Sequence, residues 1–156
     1  MEIRPLREGE AAAFVEELWV PYSEALAAVD PYGGLVDDPH ADATEHRRER
    51  VREDGTFDRV AVADGALVGY VAGDFRPAPP VVRHGDTAHV NELYVRPAYR
   101  REGVADALLA EAEAWARQRD CVYVSLNVHR ENEAAAALYR DRGYEVARYN
   151  MRKPLE

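Results

Sequence analysis

Residues 91–105 read NELYVRPAYRREGVA, and they are the most informative segment of the chain. An apolar run with strand-like alternation ends at Val95, and Pro97 stops the strand because proline has no backbone N–H to donate. A short arginine-rich loop follows, and an amphipathic helix begins after Gly103. The stretch therefore predicts a strand, a basic loop and a helix in direct succession.

The loop has the features of a phosphate or pyrophosphate cradle. Gly103 and the small Ala105 allow the backbone to approach a bound group closely. The first N–H groups of the helix lack intrahelical partners, and the helix dipole adds positive potential. Further positive charge comes from Arg96, Arg100 and Arg101. The same string also fits an ordinary strand-to-helix turn with solvated arginines. Residues elsewhere in the chain are needed to distinguish this turn from a phosphate cradle.

Downstream of the loop, the chain predicts a helix, a strand, a helix and a strand. Apolar residues at helical spacing predict a helix over 104–118, and alternation predicts a strand over 121–128. A further helix is predicted over 131–141, with Gly143 as its C′ residue, and a last strand over 144–152. This order favours a sheet with at least one parallel strand pair, covered by helices.

Upstream of the loop, the clearest signal is a hairpin. Val60 and Val62 alternate with other residues up to Asp64-Gly65, and a second apolar run follows. Both turn residues tolerate the positive φ of a type I′ turn, so two antiparallel strands are predicted there. A further strand is predicted over 87–95, directly before the basic loop.

The N-terminal third is expected to add a strand and two helices. The strand is predicted over 2–6. Helical spacing predicts the first helix over 10–20, where Pro21 would end the run. A capping-box pattern opens a polar helix over 42–53, and most of the surface of that helix must be solvated.

The composition limits the class of protein. The 156 residues are the size of one domain and no linker divides them, so a single domain over 1–156 is predicted. No apolar run approaches the ~18 residues of a membrane span, and the N-terminus lacks the layout of a secretory signal. The lone cysteine, Cys121, excludes an internal disulfide and is expected to pack in the core. These features favour the cytoplasm, with no membrane partner.

The charge balance of the chain argues against a nucleic-acid-binding protein. The chain carries 29 acidic and 20 basic residues, a net charge of -9. Such an acidic chain repels the phosphates of nucleic acids, so no nucleic-acid partner is expected. Lys153 is the sole lysine, which either a GC-rich genome or a salt-adapted host would explain. His40 and His46 have no supporting ligand cluster, so no metal is expected.

Two motifs at a fixed separation connect the chain with a known family. The Arg-x-x-Gly-x-Ala string of residues 100–105 lies between a strand and an amphipathic helix. It is followed by Asn132-x-x-Ala135-x-x-Leu138-Tyr139 and by Gly143-Tyr144. This layout resembles the GNAT superfamily of acyl-CoA-dependent N-acetyltransferases, in element order over the whole chain and most specifically over 87–145. The resemblance implies an α/β fold with a mixed, mostly antiparallel twisted sheet of about six to seven strands, flanked by about four helices.

The resemblance also implies acetyl-CoA as the cosubstrate and a set of residues that hold it. The strand over 93–95 would offer backbone groups to the pantetheine arm, and the loop over 100–105 would wrap the pyrophosphate. Glu102 departs from the family pattern, because an acidic side chain beside a pyrophosphate is unfavourable unless it points away. The implied cofactor-binding residues are Leu93, Tyr94, Val95, Arg100, Arg101, Glu102, Gly103, Val104, Ala105 and Asn132.

Tyr139 is the candidate general acid. The resemblance implies that this phenol lies near the cofactor sulfur and protonates the leaving thiolate. Independently, the spacing places Asn132 and Tyr139 two turns apart on one helix face. A phenol with an ordinary pKa of about 10 can supply a proton. Tyr139 could instead pack in the core, and Asn132 could only cap its helix.

The general base stays open between His89, Glu92 and solvent. The resemblance places His89 where some relatives carry a catalytic Glu or His, and Glu92 where many carry a Glu that can order a water. An unperturbed histidine pKa of about 6.5 suits a base. Regular alternation would put the two side chains on opposite faces of the strand, whereas a β-bulge would change this. Either side chain could also have a purely structural role.

The resemblance predicts an enzyme that transfers an acetyl group from acetyl-CoA to a primary amine by direct attack in a ternary complex. The acceptor is expected to be a small-molecule or peptide amine, and Asp37 and Asp38 could attract a cationic one. The alternatives are a non-catalytic acyl-CoA-binding or regulatory module and a structural domain that has lost its cofactor. A monomer and a homodimer both stay open.

Overall fold

A computed structural model describes residues 1–155, and its centre is one mixed sheet. Its five strands are β1 (Glu2–Pro5), β2 (Thr56–Ala63), β3 (Ala66–Arg76), β4 (Thr87–Val95) and β5 (Tyr123–Leu126). They lie in chain order across the sheet. Neighbours from β1 to β4 pair antiparallel, and β5 pairs with β4 in parallel. The predicted mixed, mostly antiparallel sheet is confirmed.

Four helical regions flank the sheet, as predicted. The first, α1, consists of three consecutive segments: Ala11–Phe14, a π-helical turn Val15–Trp19, and Val20–Val29. The others are α2 (His40–Arg52), α3 (Val104–Gln118) and α4 (Glu133–Asp141). Within residues 1–155, none of these helices combines the length and the apolar character that a membrane span requires.

The prediction that Pro21 ends the first helix is wrong. The helix continues through this proline to Val29. Proline has no N–H to donate to the preceding turn, and its ring crowds the carbonyl four residues before it. Here the π-helical turn Val15–Trp19 lies directly before the proline and changes the spacing of the backbone bonds at that point. The proline then occupies the first turn of the next α-helical segment, where it is tolerated.

The hairpin and the long amphipathic helix form where the sequence predicts them. Asp64 and Gly65 both have positive φ, 51° and 78°, as a type I′ turn requires. α3 spans 104–118 as predicted, and its apolar stripe is buried. By contrast, α2 begins at His40 and has no side-chain cap, so the predicted capping box does not form. Local turn chemistry and 3.6-residue periodicity are strong signals because they need no distant partner.

The helices cover both faces of the sheet. On one face, α3 packs against a core cluster that includes Phe57, Val71 and Leu108. On the opposite face, α1 packs against a second cluster that includes Phe14 and Tyr70. α2 lies on this second face beside α1. We call the two sides the α3 face and the α1 face.

The predicted last strand over 144–152 is wrong, and so is the strand number of about six to seven. Within residues 1–155 the sheet has five strands. The chain leaves α4 through Gly143, whose φ is 92°, and then runs exposed; Tyr149 is 87% accessible. Alternation of apolar residues makes a strand only where a neighbouring strand supplies hydrogen bonds. This segment is held instead by Arg152, which donates two hydrogen bonds to the Asp30 carboxylate.

Candidate functional site

A gap opens in the sheet where β4 and β5 separate. Their parallel pairing runs from Thr87 opposite Tyr123 to Val90 opposite Leu126 and then ends. In the described part of the chain, the remaining half of β4, residues 91–95, pairs with β3 alone. Backbone groups on its other side therefore face the gap.

The hydrogen-bonding alternation of β4 shows which residues face the gap. The Arg96 amide donates to the Val68 carbonyl at 2.8 Å, which makes Val95 opposite Gly69 a non-hydrogen-bonded pair. The N–H and C=O of Val95 therefore point away from β3. Two residues earlier in the same register, Leu93 has the same orientation. Thus the main chain of both predicted pantetheine-binding residues is directed into the gap.

The loop between β4 and α3 has a conformation suited to an anion. Arg101 and Gly103 have positive φ, 63° and 82°. No side chain caps α3, and its first intrahelical bond runs from the Ala107 amide to the Gly103 carbonyl. A Cβ added at Gly103 would meet no atom within 4 Å, so the space above the first turn is open. An uncapped first turn beside open space fits a pyrophosphate.

The three loop arginines have different surroundings. Arg96 pairs with Glu17 of α1 at 3.3 Å. Arg100 donates from Nε to the Val95 carbonyl at 2.9 Å and lies over the Tyr94 ring, 5.7 Å from its centroid. Arg101 and the departing residue Glu102 are both exposed. Contact of Arg101 with a bound anion therefore stays a prediction.

A β-bulge at Asn91 brings the two candidate bases to one face of β4. Glu92 pairs with Ala72, whereas the next pair joins Val90 to Gly73, so Asn91 is the extra residue. His89 lies opposite Asp74, two residues from Ala72 on β3 and hence on the same side. Both side chains therefore lie on the α1 face. Of the two possibilities that the sequence left open, regular alternation and a β-bulge, the structure has the β-bulge.

Glu92 is tightly held. Its Oε2 accepts a hydrogen bond from the Tyr70 hydroxyl at 2.7 Å, and its Oε1 accepts one from Arg47 Nη2 at 2.9 Å. Arg47 also donates from Nη1 to Asp58 at 2.6 Å and stacks over the Phe14 ring at 4.6 Å. Burial raises the pKa of Tyr70 well above its ordinary value, and the neighbouring Glu92 raises it further. The phenol is therefore a permanent donor to this carboxylate.

His89 is buried but neutral. Its Nδ1 lies 2.8 Å from the Ser125 hydroxyl of β5, which fixes the orientation of the ring. Burial lowers the pKa of His89 below the ordinary value of 6.5, and Arg76 lowers it further. The imidazole is therefore unprotonated at neutral pH, as a general base must be.

Tyr22 lies beside the gap, and Tyr139 is close enough to affect its ionisation. Burial raises the pKa of Tyr139, so its phenol keeps its proton at neutral pH. The Tyr22 hydroxyl donates a long hydrogen bond to the Asn91 carbonyl at 3.5 Å. Burial, Glu92 and the nearby Tyr139 raise the pKa of Tyr22 to about 12. The sequence analysis does not identify Tyr22, because Pro21 predicts the end of the helix one residue earlier. The four-residue spacing from Leu18 is the signal that points to it.

Asn132 caps α4. Its side-chain oxygen accepts a hydrogen bond from the Ala135 amide at 3.1 Å. At the other end, the Tyr144 amide donates to the Tyr139 carbonyl and the Gly143 amide to the Arg140 carbonyl, which is a Schellman motif. The capping role is therefore present, and contact of Asn132 with a cofactor stays a prediction.

Arg142 ties α4 to α3. It pairs with Asp106 at 3.3 Å and also with Glu113. These contacts hold the helix that carries Tyr139 beside the helix whose first turn forms the loop cradle.

The other residues singled out in the sequence lie away from this gap. Asp37 and Asp38 are exposed between α1 and α2. His40 lies 3.3 Å from Glu16 and 3.8 Å from Asp38. Cys121 is half-buried against the α3-face core, and burial raises the pKa of its thiol. Among residues 1–155 no group of three or more His, Cys, Asp or Glu side chains is suited to a metal ion.

Comparison with known proteins identifies both a family and close relatives. Residues 12–144 match the model of the acetyltransferase (GNAT) family. The aminoglycoside N(6')-acetyltransferase type 1 of Klebsiella aerogenes is 36% identical over 99 residues, which are 62% of this chain and 65% of that protein. The chain therefore spans about two thirds of this curated relative.

Solved structures share the fold. The ribosomal-protein-alanine N-acetyltransferase from Brucella melitensis biovar Abortus 2308 has a TM-score of 0.73 at 23% identity, covering 98% of this chain and 100% of that one. AAC(6')-Iy in complex with the bisubstrate analogue CoA-S-monomethyl-acetylneamine has a TM-score of 0.74 at 20% identity, covering 99% and 97%. At such identities the likeness extends to the fold alone.

Proposed function

Because the chain belongs to the acetyltransferase (GNAT) family, we propose that it transfers an acetyl group from acetyl-CoA to a primary amine by direct attack in a ternary complex. The observation that carries this proposal is the gap between β4 and β5, bordered by the uncapped first turn of α3. One end of the gap suits a pyrophosphate, and its wall offers an extended arm the backbone groups of β4 that point away from β3.

Acetyl-CoA would be held largely by backbone. The main chain of Leu93 and the N–H of Val95 would pair with the amides of the pantetheine arm, much as a strand pairs with its neighbour. The Val95 carbonyl already accepts a hydrogen bond from Arg100. The N–H groups that follow Gly103 would bind the pyrophosphate, with Arg101 supplying charge at the surface. The exposed Glu102 would remain in solvent.

The reaction forms one C–N bond and breaks one C–S bond. The neutral amine attacks the thioester carbonyl carbon, and a backbone N–H near Val95 stabilises the developing oxyanion. Collapse of the tetrahedral intermediate expels the CoA thiolate, which takes the phenolic proton of Tyr139. The amine proton leaves to His89, Glu92 or water. The products are the acetamide and CoA with a free thiol.

The acceptor class is proposed to be a small cationic amine of the aminoglycoside kind. The support is the likeness to an aminoglycoside N(6')-acetyltransferase, which is 36% identical over 99 residues. The net charge of -9 favours the approach of a polycation. The competing class is a peptide N-terminus, as the name of the Brucella structure suggests.

The test is release of free thiol from acetyl-CoA by the purified protein with a panel of amines. Neamine, spermidine, lysine and a peptide beginning with alanine represent the acceptor classes, each at low and high salt. Thiol release with neamine would support the proposal. Release with the peptide alone would assign the competing class, and acetyl-CoA binding without release across the panel would indicate a non-catalytic module.

A further inference from the structure

A buried polar cluster lies beneath the α1 side of the gap. It consists of Arg47, Asp58, Tyr70 and Glu92, and we call it the Arg47 cluster. The side chains of Arg47 and Asp58 are each 3% exposed, whereas Glu92 is 17% exposed. Three separate elements, α2, β2 and β3, thus supply groups that converge on one residue of β4. Glu92 is the member that retains access to solvent.

Both oxygens of Glu92 are engaged. Tyr70 donates to Oε2 at 2.7 Å, and Arg47 donates to Oε1 at 2.9 Å. A charge-assisted hydrogen bond in a buried place is costly to break, because the remaining partner is left desolvated and unpaired. If Glu92 took a proton from the acceptor amine, it would have to weaken one of these two bonds. The contacts therefore favour a carboxylate that stays ionised through the reaction.

The charges around Glu92 are set by several elements. Arg47 of α2 bridges Glu92 and Asp58, and Arg50 of the same helix pairs with Asp58 at 3.3 Å without contacting Glu92. The phenols of Tyr70 and Tyr22 face Glu92 from β3 and α1.

The guanidiniums of Arg47 and Arg50 balance the charges of the Glu92 and Asp58 carboxylates. His89 lies on the same face of β4 as Glu92, but it is neutral at pH 7 and bonded to Ser125. Within residues 1–155, Arg47 supplies the guanidinium that pairs with Glu92, so loss of Arg47 would leave this carboxylate without a cation.

We propose that Arg47 is a positioning residue: it fixes Glu92 as an anchored anion that binds the acceptor ammonium, so that Glu92 does not serve as the general base. This inference rests on the proposed amine acetylation. The small part of the Glu92 side chain that stays exposed, 17%, offers the remaining lone pairs of the carboxylate to the incoming cation. Proton removal then falls to His89 or water.

The first test compares steady-state kinetics of four variants with neamine as acceptor. Glu92→Gln and Arg47→Met should each raise the KM for neamine by about tenfold, with kcat within about threefold of wild type. Arg47→Lys keeps the charge but cannot bridge both carboxylates, so it should give an intermediate KM. Arg50→Gln, the matched control, loses a contact with Asp58 but should keep the wild-type KM.

The second test separates positioning from a merely structural role. Because Arg47 acts through Glu92, the double variant should bind neamine no more weakly than Arg47→Met alone. The pH profile of kcat/KM for Glu92→Gln should keep the shape of the wild-type profile. Additive losses in the double variant, or loss of an ionisation and of kcat in Glu92→Gln, would overturn the proposal.

Failure of the proposed acetyl transfer can be distinguished from failure of the proposed role of Arg47. If wild-type protein releases no thiol with any amine, calorimetric titration of neamine into the CoA-bound protein still decides the inference. Arg47→Met should bind at least tenfold more weakly than Arg50→Gln, and equal affinities would overturn it. If Arg47→Met does not fold, Tyr70→Phe removes the other donor to Glu92 and should weaken neamine binding in the same assay, whereas unchanged binding would overturn the proposal.

Discussion

His89 and Glu92 lie on the same face of β4, although regular alternation would place them on opposite faces. The extra residue Asn91 causes this, since it occupies one position of β4 without a partner on β3. The bulge also lies where β4 parts from β5, so one irregularity both opens the gap and directs two titratable side chains toward the same side of it.

The first prediction concerns proton removal by His89. His89→Gln should lower kcat/KM at pH 7 by about 100-fold if the imidazole is the base. Burial lowers the pKa of His89 below 6.5, so the wild-type rate should fall only as the pH drops below that value. A pH–rate profile of both proteins checks this. Persistence of the same acidic limb in His89→Gln would assign proton removal to another group.

The second prediction concerns Tyr139. Tyr139→Phe should lower kcat by about 100-fold because the thiolate loses its proton donor, while acetyl-CoA affinity stays unchanged. Tyr144 is a matched control, since its ring lies 6.0 Å from that of Tyr139 and its hydroxyl is also buried. Tyr144→Phe should keep most of the turnover. Equal kcat for Tyr139→Phe and wild type at pH 7–8 would remove Tyr139 from the mechanism.

The third prediction separates backbone strain from cofactor binding at Gly103. Gly103 and Gly65 both have positive φ, 82° and 78°, and at both a Cβ would meet no atom within 4 Å. Alanine at either position should therefore cost about 1 kcal/mol of unfolding free energy. Only Gly103→Ala should also weaken acetyl-CoA binding, because its methyl group enters the proposed pyrophosphate site. Thermal unfolding of both variants measures the loss of stability, and calorimetry measures their affinity for acetyl-CoA. If Gly103→Ala bound acetyl-CoA as tightly as Gly65→Ala, the proposed pyrophosphate cradle would be refuted.

The fourth prediction concerns the C-terminal segment. Arg152→Gln should speed tryptic cleavage at Arg148, because the bonds to Asp30 that hold the segment are lost. Arg130→Gln, which removes an exposed pair with Glu131, is the control and should leave cleavage unchanged.

The pH dependence of the same contact has a defined sign. The hydrogen bonds from Arg152, with the Tyr32 amide, lower the pKa of Asp30 to about 2. The stabilisation by this pair is therefore present above the ordinary carboxyl pKa and is lost only as the pH falls toward about 2. The side-chain carboxyl of Asp30, followed by NMR, should titrate with a midpoint near 2 and show no transition from pH 5 to pH 8. A midpoint at the ordinary carboxyl pKa would contradict the assignment.

Much of the fold follows from local sequence signals. The Asp64-Gly65 turn, the span of α3 and the positive φ of Gly143 depend on residues a few positions apart, so periodicity and turn chemistry predict them. The same holds for the uncapped turn after Gly103, whose loop is arginine-rich in the sequence itself. The continuation of α1 through Pro21 was missed because a π-helical turn leaves no reliable sequence signal.

The order of most elements, the basic loop and the candidate residues His89, Glu92 and Tyr139 could be predicted from the amino-acid sequence, because these are properties of short stretches. The placement of the two candidate bases on one face of β4, the partners that hold Glu92 and the absence of 144–152 from the sheet came from the tertiary structure. Those outcomes depend on contacts between residues far apart in the chain, such as Arg47 and Glu92. Packing and strand pairing select such contacts, and no local pattern of residues encodes them.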